Sequence, residues 1–509
     1  MLVASLVTAC SGGDGDDPVR LRVLAGPDVS VPAPLLAQLR DETGVDLRLE
    51  HRPDAETRPP DRGRYDLAWL SSDRYLRLTG NDATRGLQRT PTMTSPVVVG
   101  LKPGVAAHLR ARVAGSRPTW ADIADAAATG TVRFGMADPR HAGSGLAALV
   151  GVATAAAGTG AALRPEDVSC DRLRGFRSGQ TLTADTGPAL VDSYVDHQDE
   201  ADALITYESD LLALNASGRL AGPLEVVRPE DGTVLADFPL LLLDPARRTA
   251  YDKVTRWLRR DSVQRQIMRQ TLRRPVSTTV TRDARLREPV GNALYFPDRA
   301  AVVDALLADY GDPGRRTTSQ VVFLLDFSGS MRGARTAALR AAFAGLSGAD
   351  PSASGKFTRF HRGERLTVVR FGGRVLGEKT VTVTGPEDLD ALASAVARGG
   401  HGGATALWSA LDHGYRTAAR ELAADPGRSV SLVLMTDGEN NAGLSYAQFA
   451  RRHQALPAAV RSAVPTYPVH FGEADADELR RVAARTGGRM VEAAGSSLSE
   501  AFKEIRGCH

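Results

Sequence analysis

Val321-Val322-Phe323-Leu324-Leu325-Asp326-Phe327-Ser328-Gly329-Ser330-Met331 is the stretch that decides the fold of this chain. Its five leading residues are apolar and mostly branched, the pattern of a parallel strand buried on both faces. The chain then turns polar as Asp-x-Ser-x-Ser, and a helix is expected from about Arg332 to Leu346. A strand that ends in oxygen-bearing side chains and opens into a helix puts those oxygens at the carboxyl edge of a sheet. That edge is where open α/β folds bind ligands.

One carboxylate and two hydroxyls are hard donors, suited to Mg²⁺, Ca²⁺ or Mn²⁺. Taken alone, Asp326, Ser328 and Ser330 are equally a strand-to-helix turn with capping residues. Two later stretches supply partners. Gly402-Gly403-Ala404-Thr405-Ala406-Leu407 offers a threonine at a glycine-rich helix entry, and Val430 to Met435 is a second buried strand that runs into Thr436-Asp437-Gly438-Glu439. Together these resemble the von Willebrand factor type A domain. Its metal-ion-dependent adhesion site is Asp-x-Ser-x-Ser, a distant Thr and a distant Asp, matched in order by Asp326, Ser328, Ser330, Thr405 and Asp437. The resemblance covers about the last two-fifths of the chain and implies a doubly wound, Rossmann-like sheet over residues 319–509. It also implies a divalent cation, Mg²⁺ first, that keeps one position for an acidic group on a protein partner. Asn440, Asn441 and His401 fall near this rim, as plain loop residues or as shapers of partner choice.

With 509 residues the chain has room for several domains. Its 63 basic and 60 acidic residues leave a formal charge of only +3, too little to argue for nucleic acid. The three cysteines, Cys10, Cys170 and Cys508, make no metal-spaced cluster. Residues 1–18 read as a signal and tether: a short apolar run ends at Ala9-Cys10, and a polar Ser-Gly-Gly-Asp stretch follows. This resembles a bacterial lipoprotein signal, which implies a lipid on Cys10, a membrane anchor and an extracytoplasmic location. No positive charge and no long apolar core precede Cys10, so the natural translation start is expected upstream of Met1. In that compartment a Cys170–Cys508 disulfide is permitted. Leu146 to Leu163 lacks charge but is mostly alanine and glycine, and reads as a buried helix with a turn.

From residue 19 to 275, strands alternate with helices: Leu21 to Ala25, Val45 to Glu50, Tyr65 to Leu70, Val132 to Ala137 and Ala203 to Thr206 are strands, with helices such as Pro34 to Thr43 and Trp120 to Ala128 between them. Thr94 to Leu101 and Phe238 to Leu243 are placed to cross between two lobes, and Arg247 to Leu258 and Ser262 to Gln270 to close the body. The order resembles a type 2 periplasmic solute-binding protein. It implies ligand contacts on the loops after the strands, at Ser30, Ser71, Ser72, Ser95, Ser144 and Tyr207. Each serine alone is an ordinary cap or turn residue. Gly143-Ser144-Gly145 opens a helix, where free N–H groups favour an anion or carboxylate. His141 beside it reads as a solvent-facing loop residue.

Residues 276–318 read as a connection, with Arg299 to Leu307 helical and Tyr310 to Thr318 a Gly/Pro linker. In the last domain, helices are expected over Pro386 to Ala397, Thr405 to Ala424, Ser445 to Val464, Glu478 to Thr486 and Ser497 to Arg506. No Gly-x-Ser-x-Gly, His-Glu-x-x-His, Walker A or Cys-x-x-Cys pattern occurs, so no enzyme is expected. The fold expected is α/β, a two-lobed solute-binding-like domain followed by the type A sheet. The leading functional expectation is a lipid-anchored binding or adhesion protein that uses the metal site to hold an acidic group of a partner. The alternative is the substrate-binding receptor of an ABC-type importer, with a small-molecule ligand between the lobes.

Overall fold

The computed structural model describes residues 17–61, 63–80, 86–113, 117–168, 172–312, 319–493 and 498–507. The chain forms two compact units. One contains the residues up to Ser95 together with Ala236–Glu288; the other contains Pro96–Leu235 and Pro289–His509. In chain order the strands are β1 (Val19–Ala25), β2 (Val45–His51), β3 (Leu67–Trp69), β4 (Arg89–Pro91), β5 (Ser95–Leu101), β6 (Phe134–Met136), β7 (Gln180–Leu182), β8 (Ala203–Tyr207) and β9 (Glu225–Val227). They continue with β10 (Leu235–Ala236), β11 (Pro239–Leu242), β12 (Ser319–Asp326), β13 (Arg365–Phe371), β14 (Val375–Thr382), β15 (Ser429–Thr436), β16 (Thr466–His470) and β17 (Val491–Glu492).

The first unit is built on the sheet β2-β1-β3-β11-β4. β1 runs parallel to β2 and β3, and the returning β11 lies antiparallel between β3 and β4. The helix Ala33–Thr43 stops at Gly44, whose φ of 68° ends it in the left-handed conformation that glycine adopts without strain.

Two sheets lie in the second unit. The first runs β10-β5-β8-β6-β7, with β9 also on β5; β6 and β8 are parallel, and β5 and β8 antiparallel. The uncharged alanine- and glycine-rich stretch folds as the buried helix Gly143–Ala157, ended by Gly158. The second sheet runs β14-β13-β12-β15-β16-β17, parallel throughout except for the edge pair β13–β14. β12 is buried along its whole length, and its alternate residues enter two different cores. Val321, Phe323 and Leu325 face the helices Ala334–Ala344, Pro386–Ala397 and Leu498–Gly507, whereas Val322 and Leu324 face Leu407–Ala424 and Tyr446–Gln454. Phe323 meets Phe343, Phe360 and Phe502 edge to face, with centroids 5.0 to 6.0 Å away. On the other face Gly414 lets its helix close on the sheet, since a Cβ there would lie 3.0 Å from Leu432.

Residues 96–235 fall in one compact unit with residues 289–509. A charged contact joins two elements within it. Lys356 Nζ lies 2.6 Å from Asp122 Oδ1, Arg359 pairs with Asp125, and the Arg362 amide donates to Ala128 O at 2.8 Å. These carboxylates are mostly buried, so their neutralisation across the contact ties the two elements together.

Three expected helices have different bounds. The one expected from about Arg332 to Leu346 spans Ala334–Ala344, starting after Gly333 with φ 77°, and a separate single turn forms before it at Gly329–Met331. Pro457 cannot donate into a helix, so the expected Ser445–Val464 splits into Tyr446–Gln454 and Ala458–Ala463. The helix expected from Thr405 starts at Leu407, leaving Thr405 in the loop. No helix among the described residues is long and apolar enough to cross a membrane. Cys10, Cys170 and Cys508 lie outside the described residues, as does residue 313–318 of the expected linker.

Candidate functional site

β12 and β15 are parallel neighbours, so their carboxyl ends open at one edge. Asp326 ends β12 with no solvent exposure. Its Oδ1 accepts from the Ser328 amide at 2.7 Å, and its Oδ2 accepts from Thr436 Oγ1 at 2.7 Å. The Ser328 and Ser330 hydroxyls are 3.0 Å apart, and Ser330 Oγ donates to Asp437 Oδ1 at 2.8 Å. Thr405 joins across Gly438: a Cβ at that glycine would lie 3.8 Å from Thr405 Oγ1 and 3.9 Å from Ser330 Oγ. Side chains from three separate turns are thus gathered at one place. Burial, reinforced by the nearby charge of Asp437, pushes the Asp326 carboxyl up to about 6, while its bonds from Thr436 and Ser328 act the other way. A buried carboxylate with a second one beside it, ringed by hydroxyls, is a donor set that fits a hard divalent cation.

The surrounding loop is braced by side chains that read as plain loop residues in the sequence. Asn441 Oδ1 accepts from the Thr405 amide at 2.8 Å, Asn440 Oδ1 from the Trp408 amide at 3.3 Å, and His401 Nε2 lies 2.9 Å from Thr336 Oγ1. Sequence reasoning missed Arg335, whose guanidinium pairs with Asp437 Oδ2, and Thr436, which holds Asp326. The one sequence signal for Thr436 was its position next to Asp437.

The residues expected to contact a solute are divided between the two units. In the first unit, Ser30 and Ser71 follow the parallel strands β1 and β3. Ser30 is exposed, and its carbonyl accepts from Arg273 Nη1 at 2.8 Å. Ser71 is buried and committed internally: its amide and hydroxyl both donate to Glu56, at 2.6 and 2.8 Å. Ser72 Oγ accepts from the Arg74 amide at 3.3 Å, and Ser95 is buried at the start of β5. In the second unit, Ser144 lies in the first turn of Gly143–Ala157 and Tyr207 ends β8, at the same edge of the parallel pair β6–β8.

A second cluster stands in residues 96–235, outside the type A sheet. One ligating atom each from Asp138, His141 and Asp185 lies within 4.8 Å of the others, a candidate metal-coordinating group. His141 Nδ1 is 3.0 Å from Asp185 Oδ1, so it is more than a loop residue facing solvent. Asp138 is also gripped by Arg140, at 3.0 Å through Nε and 2.6 Å through Nη2.

Glu56, which the sequence does not single out, is buried beside Ser71. Burial pushes its carboxyl from the ordinary 4.5 up to about 8, the charge of Asp28 adds to this, and the bonds from Ser71 oppose it. The folded chain therefore holds a proton that the unfolded chain releases above about 4.5. That stabilisation is complete below about pH 4.5 and is lost as pH rises toward 8. Melting curves should fall for the native chain between pH 5 and 8 and fall less for Glu56→Gln; identical slopes would show that Glu56 does not carry this dependence.

Comparison with known proteins gives two separate matches. The profile of the bacterial extracellular solute-binding protein family matches residues 22–270, and that of the von Willebrand factor type A domain matches residues 320–504. No curated protein matches the chain. Among solved structures, the von Willebrand factor type A protein from Catenulispora acidiphila is 24% identical with a TM-score of 0.29. That match covers 38% of this chain and 42% of that one, less than half the relative's length. Iron-bound HitA from Pseudomonas aeruginosa is 15% identical with a TM-score of 0.42, covering 58% of this chain and 100% of that one. The ferric binding protein from Campylobacter jejuni is 10% identical with a TM-score of 0.43, covering 57% and 99%. Both matched families are binding domains without catalytic activity. The chain carries a solute-binding-protein-like domain followed by a von Willebrand factor type A domain.

Proposed function

We propose that this chain is an extracytoplasmic solute receptor of an ABC-type importer, with a type A domain attached. The observation that carries the reading is the match of residues 22–270 to the extracellular solute-binding family. It favours import over the adhesion role that the metal motif alone suggests. Within each unit, polar side chains follow parallel strands and support it: Ser30 and Ser72 come after β1 and β3, and Ser144 opens the helix Gly143–Ala157 after β6. These groups suit a small anion, a sugar or a peptide. A solute in hundredfold excess over its Kd stabilises the chain by about 2.7 kcal/mol. Thermal melting against a panel of such solutes should therefore show one clear upward shift, and a flat panel would remove the receptor role.

A second reading is favoured by the assembled oxygen edge. In it Asp326, Ser328, Ser330, Thr405 and Asp437 hold a divalent cation, with Mg²⁺ first and Ca²⁺ or Mn²⁺ after it. The ion would supply a Lewis-acid clamp for a carboxylate on a protein partner. The chain's own part is to keep two carboxylates and three hydroxyls together, with Thr436 orienting Asp326 and Arg335 balancing Asp437. Calorimetric titration with Mg²⁺ should give binding that Asp326→Ala abolishes and Asp138→Ala leaves intact. The opposite pattern would move the cation to the Asp138–His141–Asp185 cluster.

Attachment to the membrane belongs to the same proposal and is supported by the Ala9-Cys10-Ser11 pattern alone. Cys10→Ser should release the chain from the membrane fraction of its cell; full retention would discard the lipid anchor.

A further inference from the structure

We propose a second binding site on the type A domain, an oxyanion site beneath the β13–β14 edge, for a ligand bearing phosphate or carboxylate. A cavity of about 560 Å³ opens there, beside the helix Pro386–Ala397, and Arg370, Lys379, Arg398 and Ser394 line it.

Arg370 carries the inference. It sits on β13 and is only 8% exposed. Its guanidinium carbon lies 4.1 Å from the Phe327 ring centroid, and Nη2 donates to Gly400 O at 2.9 Å. Its Nε is buried with no hydrogen-bond partner, and among the described residues no carboxylate pairs with it. A buried guanidinium without a counter-ion is costly, and its retention calls for compensation. Burial, aided by the charge of Arg340, already pushes its pKa down.

The backbone makes room for this charge. Gly399 has φ 98°, and a Cβ on it would lie 2.0 Å from Arg370 Nη1. Gly377, the register partner of Arg370 on β14, has nothing within 4 Å of where its Cβ would be. One glycine seats the guanidinium and the other leaves open space beside it.

The rest of the wall has the same sign. Lys379 is exposed on the edge strand, and the Arg398 guanidinium donates to Ser394 Oγ at 3.2 Å. The single acid on the wall, Glu378, is engaged elsewhere, 2.7 Å from His413 on the helix Leu407–Ala424. Three cations, one hydroxyl and no uncommitted carboxylate describe an oxyanion site. Holding Gly400 and stacking on Phe327 explains one nitrogen and one face of Arg370, and does not explain why Lys379 and Arg398 line the same cavity.

The test uses the full chain in EDTA at fixed ionic strength, so that it stands apart from any metal. Calorimetric titration with inorganic phosphate, and in a separate arm with acetate, should show saturable binding by at least one. In the Lys379→Ala/Arg398→Ala double variant, whose changes are at exposed positions, affinity should fall about tenfold or more. Phosphate binding alone would assign a phosphoryl ligand, and acetate binding alone a carboxylate. No saturable binding in either arm, or equal affinity in the double variant, would overturn the site.

Discussion

The carboxylate of Asp326 stands at the end of the central strand with no access to water, and that burial constrains everything around it. A charge in such a place is tolerable only when its oxygens are bonded and its field is balanced. The structure supplies the bonds from Ser328 and Thr436, one from its own turn and one from the neighbouring strand. The parallel register of β12 with β15 is what brings Thr436 within reach, so the site exists only once that pair has formed. The hydroxyls of Ser328 and Ser330 then link Asp326's turn to Asp437, whose second oxygen is held by Arg335. Removing any strand of that arrangement would leave acid groups buried and unbalanced.

The same strand organises the packing. β12 gives one face to the phenylalanine cluster and the other to the long helix over Leu324, so both cores depend on a single stretch of alternating contacts. The polar edge is thereby carried by a strand packed on both faces, as a site on rigid elements requires.

Residues 96–235 behave physically as part of the C-terminal unit. Their solute-binding character is legible by family, but their contact with the type A domain includes Lys356 and Arg359 meeting Asp122 and Asp125, positions more than two hundred residues apart. Nothing local to either helix announces that pairing.

The sequence by itself determined the alternation of strands and helices and the buried β12, features written in local periodicity, which acts over a few positions. The grouping of Asp326, Ser328, Ser330, Thr405 and Asp437 came from it only as what the resemblance to the type A domain implies. Tertiary structure alone decided that Ser71 is spent on Glu56, that Asp138 and Asp185 join His141, that Arg335 balances Asp437, and that Arg370 is buried without a counter-ion. Each of these is a charge or polar group meeting a distant one. Coulomb and hydrogen-bond energies depend on separation in space, and only the folded chain sets that separation.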